Sequence, residues 1–153
     1  MKSVILLIVV LIISYGLGQW LSQRDVITTE AEKNITRNTV IHSYCDPVKS
    51  SCKFIVSNIA YLLEFQSMPS ALVPFVVSVK TDDVQPDAIK MSFNMDGMDM
   101  GYNSYRFVKN EFDWQANVIL PVCSLGRNDW LLDVEIMNNN EVSVTRFKFS
   151  QSK

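Results

Sequence analysis

The chain contains a single histidine, His42, in 153 residues. A Ser-His-Asp triad would have to be built on it, and no nucleophile-elbow pattern supports one. There is no Cys-x-x-Cys, which removes a thioredoxin-type redox motif. The five glycines are scattered and form no phosphate-cradling loop. No run of lysine and arginine occurs and the net charge is -2, so nucleic acid is not an expected partner. Adjacent carboxylates such as Asp82-Asp83 sit in ordinary loop composition. These absences point away from catalysis, and the chain is expected to be non-enzymatic.

What is present begins with a long apolar run. Residues 4–15 are apolar except for Ser14, and Gly16-Leu-Gly-Gln-Trp20-Leu21 extends the run. About eighteen residues at ~1.5 Å rise give ~27 Å, close to the ~30 Å hydrocarbon core of a bilayer. Trp20 falls where an interfacial aromatic belongs, and Lys2 before the run favours a cytoplasmic N-terminus with the remainder outside. Residues 1–21 therefore read as a single-pass anchor. The rival is a cleaved signal peptide, which calls for a shorter apolar region and a small-residue cleavage site. The end of this run has glycines but no Ala-x-Ala, and no cysteine follows it as a lipoprotein requires. Residues 22–40 are polar and read as a linker. Residues 41–153 are enough for one domain with its own core.

The cysteines fit an exported domain. Cys45 and Cys52 are separated by six residues that include Asp46-Pro47 and Ser50-Ser51, a turn composition. In an oxidising compartment a local disulfide between them is the expected state. Cys123 is left over, and the sequence leaves it open whether it is buried, metal-binding or paired differently. Asn34-Ile-Thr36 matches the glycosylation sequon, a weak signal on its own.

Beyond residue 51 the signals are for strands. Short apolar or β-branched runs cover residues 52–56, 61–65 and 74–80. Residues 89–95 alternate apolar and polar strictly, the period of a half-buried strand. Further runs follow at 102–108, 112–120, 130–136 and 142–149, broken by Gly126-Arg-Asn-Asp129 and Asn138-Asn-Asn140. About seven short strands with regular turns predict an all-β, immunoglobulin-like β-sandwich behind one N-terminal transmembrane helix.

Four of the seven methionines lie in residues 91–100, three of them within Met95-Asp-Gly-Met98-Asp-Met100. Met91 and Phe93 share a strand face, so Met91 is expected in the core, where methionine fills gaps well. Met95 is in phase with that face but touches the loop, and both roles stay open for it. Met98 and Met100 follow the turn signal Asp96-Gly97 and flank Asp99. A thioether is a soft, uncharged ligand suited to Cu(I), and it neither forms disulfides nor needs deprotonation. Zinc would call for His and Cys, and calcium for more oxygens than Asp96 and Asp99 offer. Met95, Met98 and Met100 are therefore the candidate metal ligands, with His42 and Cys123 as possible additions.

An N-terminal anchor, an all-β domain and the loop Met95-Asp-Gly-Met98-Asp-Met100-Gly-Tyr102 resemble the FixH-like and YtkA-like domains of small membrane-anchored bacterial proteins. The methionine usage is also similar to CopC-like periplasmic copper carriers. The resemblance covers roughly residues 74–149, with Leu120-Pro-Val-Cys123 and Asp129-Trp130 as weaker support. It implies an immunoglobulin-like domain in the periplasm, anchored in the bacterial inner membrane. It further implies Cu(I) as cargo for a membrane cuproenzyme such as a haem-copper oxidase, or for a copper-assembly protein. The histidine that often joins methionines in such sites has no counterpart in this loop, and Cys45 and Cys52 are outside the pattern. The alternative function is a metal-free structural or interaction module of an inner-membrane complex.

Overall fold

A computed structural model of the protein describes residues 36–37, 40–81, 85–98, 100–111 and 113–151, all within one compact unit, Thr36–Lys153. The anchor expected over residues 1–21 and the linker ahead of Thr36 lie outside the described residues. Among the described residues no helix is long and apolar enough to cross a membrane.

The described chain is all-β, built from two sheets. In order it forms β1 (Thr36–Arg37), β2 (Ile41–His42), β3 (Cys52–Val56), β4 (Ile59–Phe65), β5 (Phe75–Lys80), β6 (Ala88–Asn94), β7 (Ser104–Arg106), β8 (Val108–Lys109), β9 (Trp114–Val118), β10 (Asp129–Asn138) and β11 (Glu141–Ser150). Seven of these have five or more residues and correspond to runs legible in the sequence. The other four are only two or three residues long, too short to show a period, although β7 falls within the run read at residues 102–108. β1 draws two residues of the expected linker into a sheet.

One sheet has the order β1-β11-β10-β6-β7, with β2 also pairing β11, and the other has the order β3-β4-β5-β9-β8. Two tight hairpins set much of the register. Asn139 and Asn140 join β10 to β11 with φ of 48° and 65°, and Ser57 and Asn58 join β3 to β4 with φ of 48° and 67°. Positive φ at both central residues is the type I′ pattern, whose twist matches that of the flanking strands. Asparagine tolerates this region better than most side chains.

Alternation then sorts the faces. Phe54 on β3, Phe65 on β4 and Phe75 on β5 meet Phe147, Phe149 and Phe93 of the opposite sheet, with ring centroids 5.5, 5.3 and 6.4 Å apart. These edge-on contacts join the two inner faces, with Leu63, Val77, Leu132, Val134 and Ile136 fully or almost fully buried around them. On the outer face of the first sheet Arg146 lies opposite Asp133, and two 2.6 Å hydrogen bonds from its Nε and Nη2 bind both carboxylate oxygens. Asp133 is buried, so Arg146 supplies the partner that a desolvated carboxylate needs.

Strand direction places the ends. β4, β6, β9 and β11 finish at one end of the domain, where β10 begins. Thr36, the first described residue, pairs with Glu141 at the opposite end. The methionine segment and the turn after Cys123 are both at the former end, facing away from the point where the chain joins the domain.

Candidate metal centre

β6 delivers the methionines in alternating fashion. Met91 is fully buried, as its phase requires, and Met95 is 2% exposed. Both pack in the core, so Met95 takes the core option that its period allowed. Immediately after it the chain reverses: the Met98 amide donates to the Met95 carbonyl at 3.1 Å, and Met95 and Met98 form an antiparallel bridge. Gly97 has φ +70° at the third position of this turn, while Asp96 before it is not in the positive region. That is the type II pattern, which favours glycine at that position. The turn aims Met98 back toward the domain, where it and Met100 lie half-buried against the core. Asp99 is outside the described residues.

The facing wall is the segment between β9 and β10. Ile119 is clamped to β7 twice: the Tyr105 hydroxyl donates to the Ile119 carbonyl at 2.5 Å and accepts from the Ile119 amide at 3.3 Å. Leu120 is fully buried, and its carbonyl accepts from the Leu72 amide at 2.9 Å. This extended stretch carries Cys123 inward, its thiol free and only 6% exposed. The Gly126 amide donates to the Cys123 carbonyl at 3.0 Å, closing a turn with Gly126 at φ +69°.

The two segments meet through sulfur. The Cys123 Sγ lies 3.7 Å from the Met98 Sδ, with the thiol donating to the thioether. A soft thiol and a soft thioether thus meet, while Met95 lies in the core and Met100 packs against it. A second contact joins the same two segments, the Arg127 Nη1 donating to the Asp96 carbonyl at 2.8 Å. The same guanidinium donates from Nε and Nη2 to Asp129, at 2.9 and 2.5 Å. The Asp129 carboxylate holds Arg127 above its usual range. Arg127 in turn holds the Asp129 carboxyl below the usual carboxylate range.

The remaining sequence candidates sit elsewhere. His42 is exposed on β2, in register with Arg146 and hence with Asp133 and Ser92 across the outer face of the first sheet. Met95 faces the core on the other side of that sheet, so the structure does not bring His42 to the sulfurs. Cys45 and Cys52 form a disulfide, with Cα atoms 5.7 Å apart, and are unavailable as thiol ligands. Among the described residues no group of three or more His, Cys, Asp and Glu side chains converges. Sequence reasoning missed Arg127. Its neighbours read only as a turn, and no local spacing announces that a guanidinium will reach a carbonyl 31 residues earlier.

Another buried polar group borders the site. Asn103 continues the β6–β7 ladder by accepting the Phe93 amide on its carbonyl at 2.9 Å, but its buried side-chain nitrogen has no partner.

No protein-family model and no curated protein matches the chain. Among solved structures it is similar to the human F-spondin reeler domain, at 9% sequence identity and a TM-score of 0.45. The match covers 75% of this chain and 95% of that one. So distant a likeness carries no argument about function.

Proposed function

We propose that the protein is a Cu(I)-binding carrier module rather than an enzyme, with Cys123 and Met98 as the core of the site and Met100 and Met95 beside them. The observation that carries this reading is the 3.7 Å approach of the Cys123 and Met98 sulfurs at the edge of the core. Cu(I) favours sulfur donors and low coordination numbers, and a half-buried position shields it from water and oxidant. On binding, the Cys123 thiol gives up its proton and the thioethers bind unchanged. Met95 is held in the core by β6, so Met98 and Met100, on the loop, are the methionines free to adjust.

The wider reading belongs to the same proposal. The apolar run at residues 4–15 and the Cys45–Cys52 disulfide support a domain anchored in the inner membrane and exposed to the periplasm. Two sheets with seven longer strands support an immunoglobulin-like domain of the FixH-like or YtkA-like kind. Delivery of copper to a membrane cuproenzyme such as a haem-copper oxidase, or to its assembly factors, follows from that resemblance.

The test is anaerobic titration of the detergent-solubilised full chain with Cu(I) against a chromophoric chelator. The reductant should be one that spares disulfides. Wild type should withdraw one equivalent, and a Cys123→Ala/Met98→Leu variant should not. Equal binding by both, or none by wild type, refutes the assignment.

A second reading, a metal-free interaction module, has its own observation. Leu72, Val73, Ile119, Val122 and Leu125 are all large, exposed and confined to two neighbouring segments joined at Leu120. Apolar side chains gathered in this way mark protein contacts more often than scattered ones do. Co-purification of a partner that survives both copper chelation and Met98→Leu, but not Leu125→Ser, would favour this reading.

A further inference from the structure

Resting on the copper reading, we infer that Arg127 is a latch that holds the two sulfur-bearing turns together and sets the rate at which metal is released. Two short turns oppose each other here. One spans residues 95–98 and presents Met98, and the other spans residues 123–126 and begins at Cys123. Beside the sulfur contact itself, the Arg127–Asp96 hydrogen bond joins them directly.

Its geometry is that of a strut. Asp129, at the start of β10, takes the Nε and Nη2 edge of the guanidinium and fixes its plane. This leaves Nη1 pointing at the Asp96 carbonyl, the second residue of the methionine turn. That turn is anchored at Met95 and Met98 by their mutual hydrogen bond and their packing on the core, and Arg127 adds a contact at its tip. Asp96 and Gly97 are exposed, and a Cβ placed on Gly97 would meet nothing within 4 Å. With the strut in place, Met98 covers the Cys123 thiol. Without it, the Met98–Cys123 approach is left to the Met95–Met98 bridge and to core packing, and the sulfurs part more readily. The strut is itself accessible, the Arg127 and Asp129 side chains being 34% and 57% exposed. A receiving protein can therefore reach the latch without unfolding the core.

Arg127 touches neither sulfur in this account; it is a positioning residue. The test uses the detergent-solubilised full chain as wild type, Arg127→Gln, Arg127→Lys and Asp129→Asn. One measurement is the rate at which excess bathocuproine disulfonate strips Cu(I) from the loaded protein. The other is the rate at which N-ethylmaleimide alkylates Cys123 in the metal-free protein. The loss of one charge-assisted hydrogen bond from an exposed loop should accelerate both by about tenfold in Arg127→Gln. Thermal unfolding should move by no more than ~2 °C, since the core is untouched. Arg127→Lys retains a donor for Asp96 and should fall between wild type and Arg127→Gln, and Asp129→Asn should resemble Arg127→Lys.

Unchanged release and alkylation in Arg127→Gln overturn the latch. Faster rates accompanied by a large fall in thermal stability overturn it as well, because a general loosening would then account for them. If wild type takes up no Cu(I), the copper reading fails and with it the role in release. The alkylation rates then still decide whether Arg127 shields the thiol.

Discussion

Replacing Cys45 and Cys52 together by alanine should destabilise the domain by about 3 kcal/mol, a figure that follows from where the bridge lies. The disulfide joins residues separated by 7 in sequence, so it closes a loop of about eight residues. The chain-entropy relation assigns such a loop about 8 cal/mol/K of lost freedom in the unfolded state, or ~2.5 kcal/mol at room temperature. Cys52 is fully buried at the head of β3, so the smaller alanine leaves a void that adds ~0.5–1 kcal/mol. Urea unfolding of the oxidised wild type, the reduced wild type and the double variant separates the two contributions. Reduction alone should remove the entropic part, and the variant the whole. Under denaturing, non-reducing conditions the wild type should show one reactive thiol, from Cys123. A loss below ~1 kcal/mol in the double variant would refute the entropic reasoning. Three thiols in protein isolated from its own compartment would refute the bridge.

Two further perturbations probe the turn and the core. Gly97→Ala places a side chain at φ +70° and should cost ~1–2 kcal/mol in urea unfolding, while Gly97→Asn should cost less, since asparagine tolerates that region. Full stability in Gly97→Ala would show that the turn does not require the left-handed conformation. Tyr61 supplies a pH test. Burial raises its phenol above the ordinary value of 10.0, with the nearby Asn138 side chain offsetting only part of the effect, and its hydroxyl has no well-formed hydrogen bond. A raised folded-state pKa makes the unfolded chain lose its proton first, so stability is intact below pH 10.0 and falls as pH rises through the folded value. Tyr61→Phe should remove that part of the alkaline decline, and an unchanged decline in the variant would sink the assignment.

The sequence made the strands legible where residues had to alternate. Residues 89–95 read as a half-buried strand because Ile89, Met91, Phe93 and Met95 share the core face, and all four are buried. The Asn138-Asn-Asn140 turn was also visible, because asparagine is suited to the positive φ that a type I′ hairpin needs. Its counterpart at Ser57 and Asn58 was not, because Ser57 takes φ 48° in the absence of the glycine that usually signals such a turn. The short strands β1, β2 and β8 are held by pairing with longer neighbours and have no pattern of their own, while β7 falls inside the run read at residues 102–108. At the candidate site, the sequence offered the methionine loop and left Cys123 open. What brings them together is tertiary: Tyr105 and Leu72 fix the segment that carries Cys123, from 14 and 48 residues away in sequence.

The position of the sulfurs follows from competing demands on the same few residues. A methionine in phase with a strand serves the core best when it is sealed, and Met91 and Met95 are. A ligand that must receive and release a metal has to reach the surface, yet a thioether or thiol left in open solvent is exposed to oxidation. In the carrier reading, the type II turn at Asp96-Gly97 meets both demands by changing the period at one point. Up to Met95 the chain obeys the sheet, and just past the turn Met98 lies half-buried against Cys123. The exposed apolar side chains at Val122 and Leu125 then flank Cys123, whose thiol meets the Met98 thioether. A partner seated on those residues would exclude water from the Cys123–Met98 pair at the moment of transfer. The carrier reading and the contact-surface reading can therefore describe successive steps on the same end of the domain.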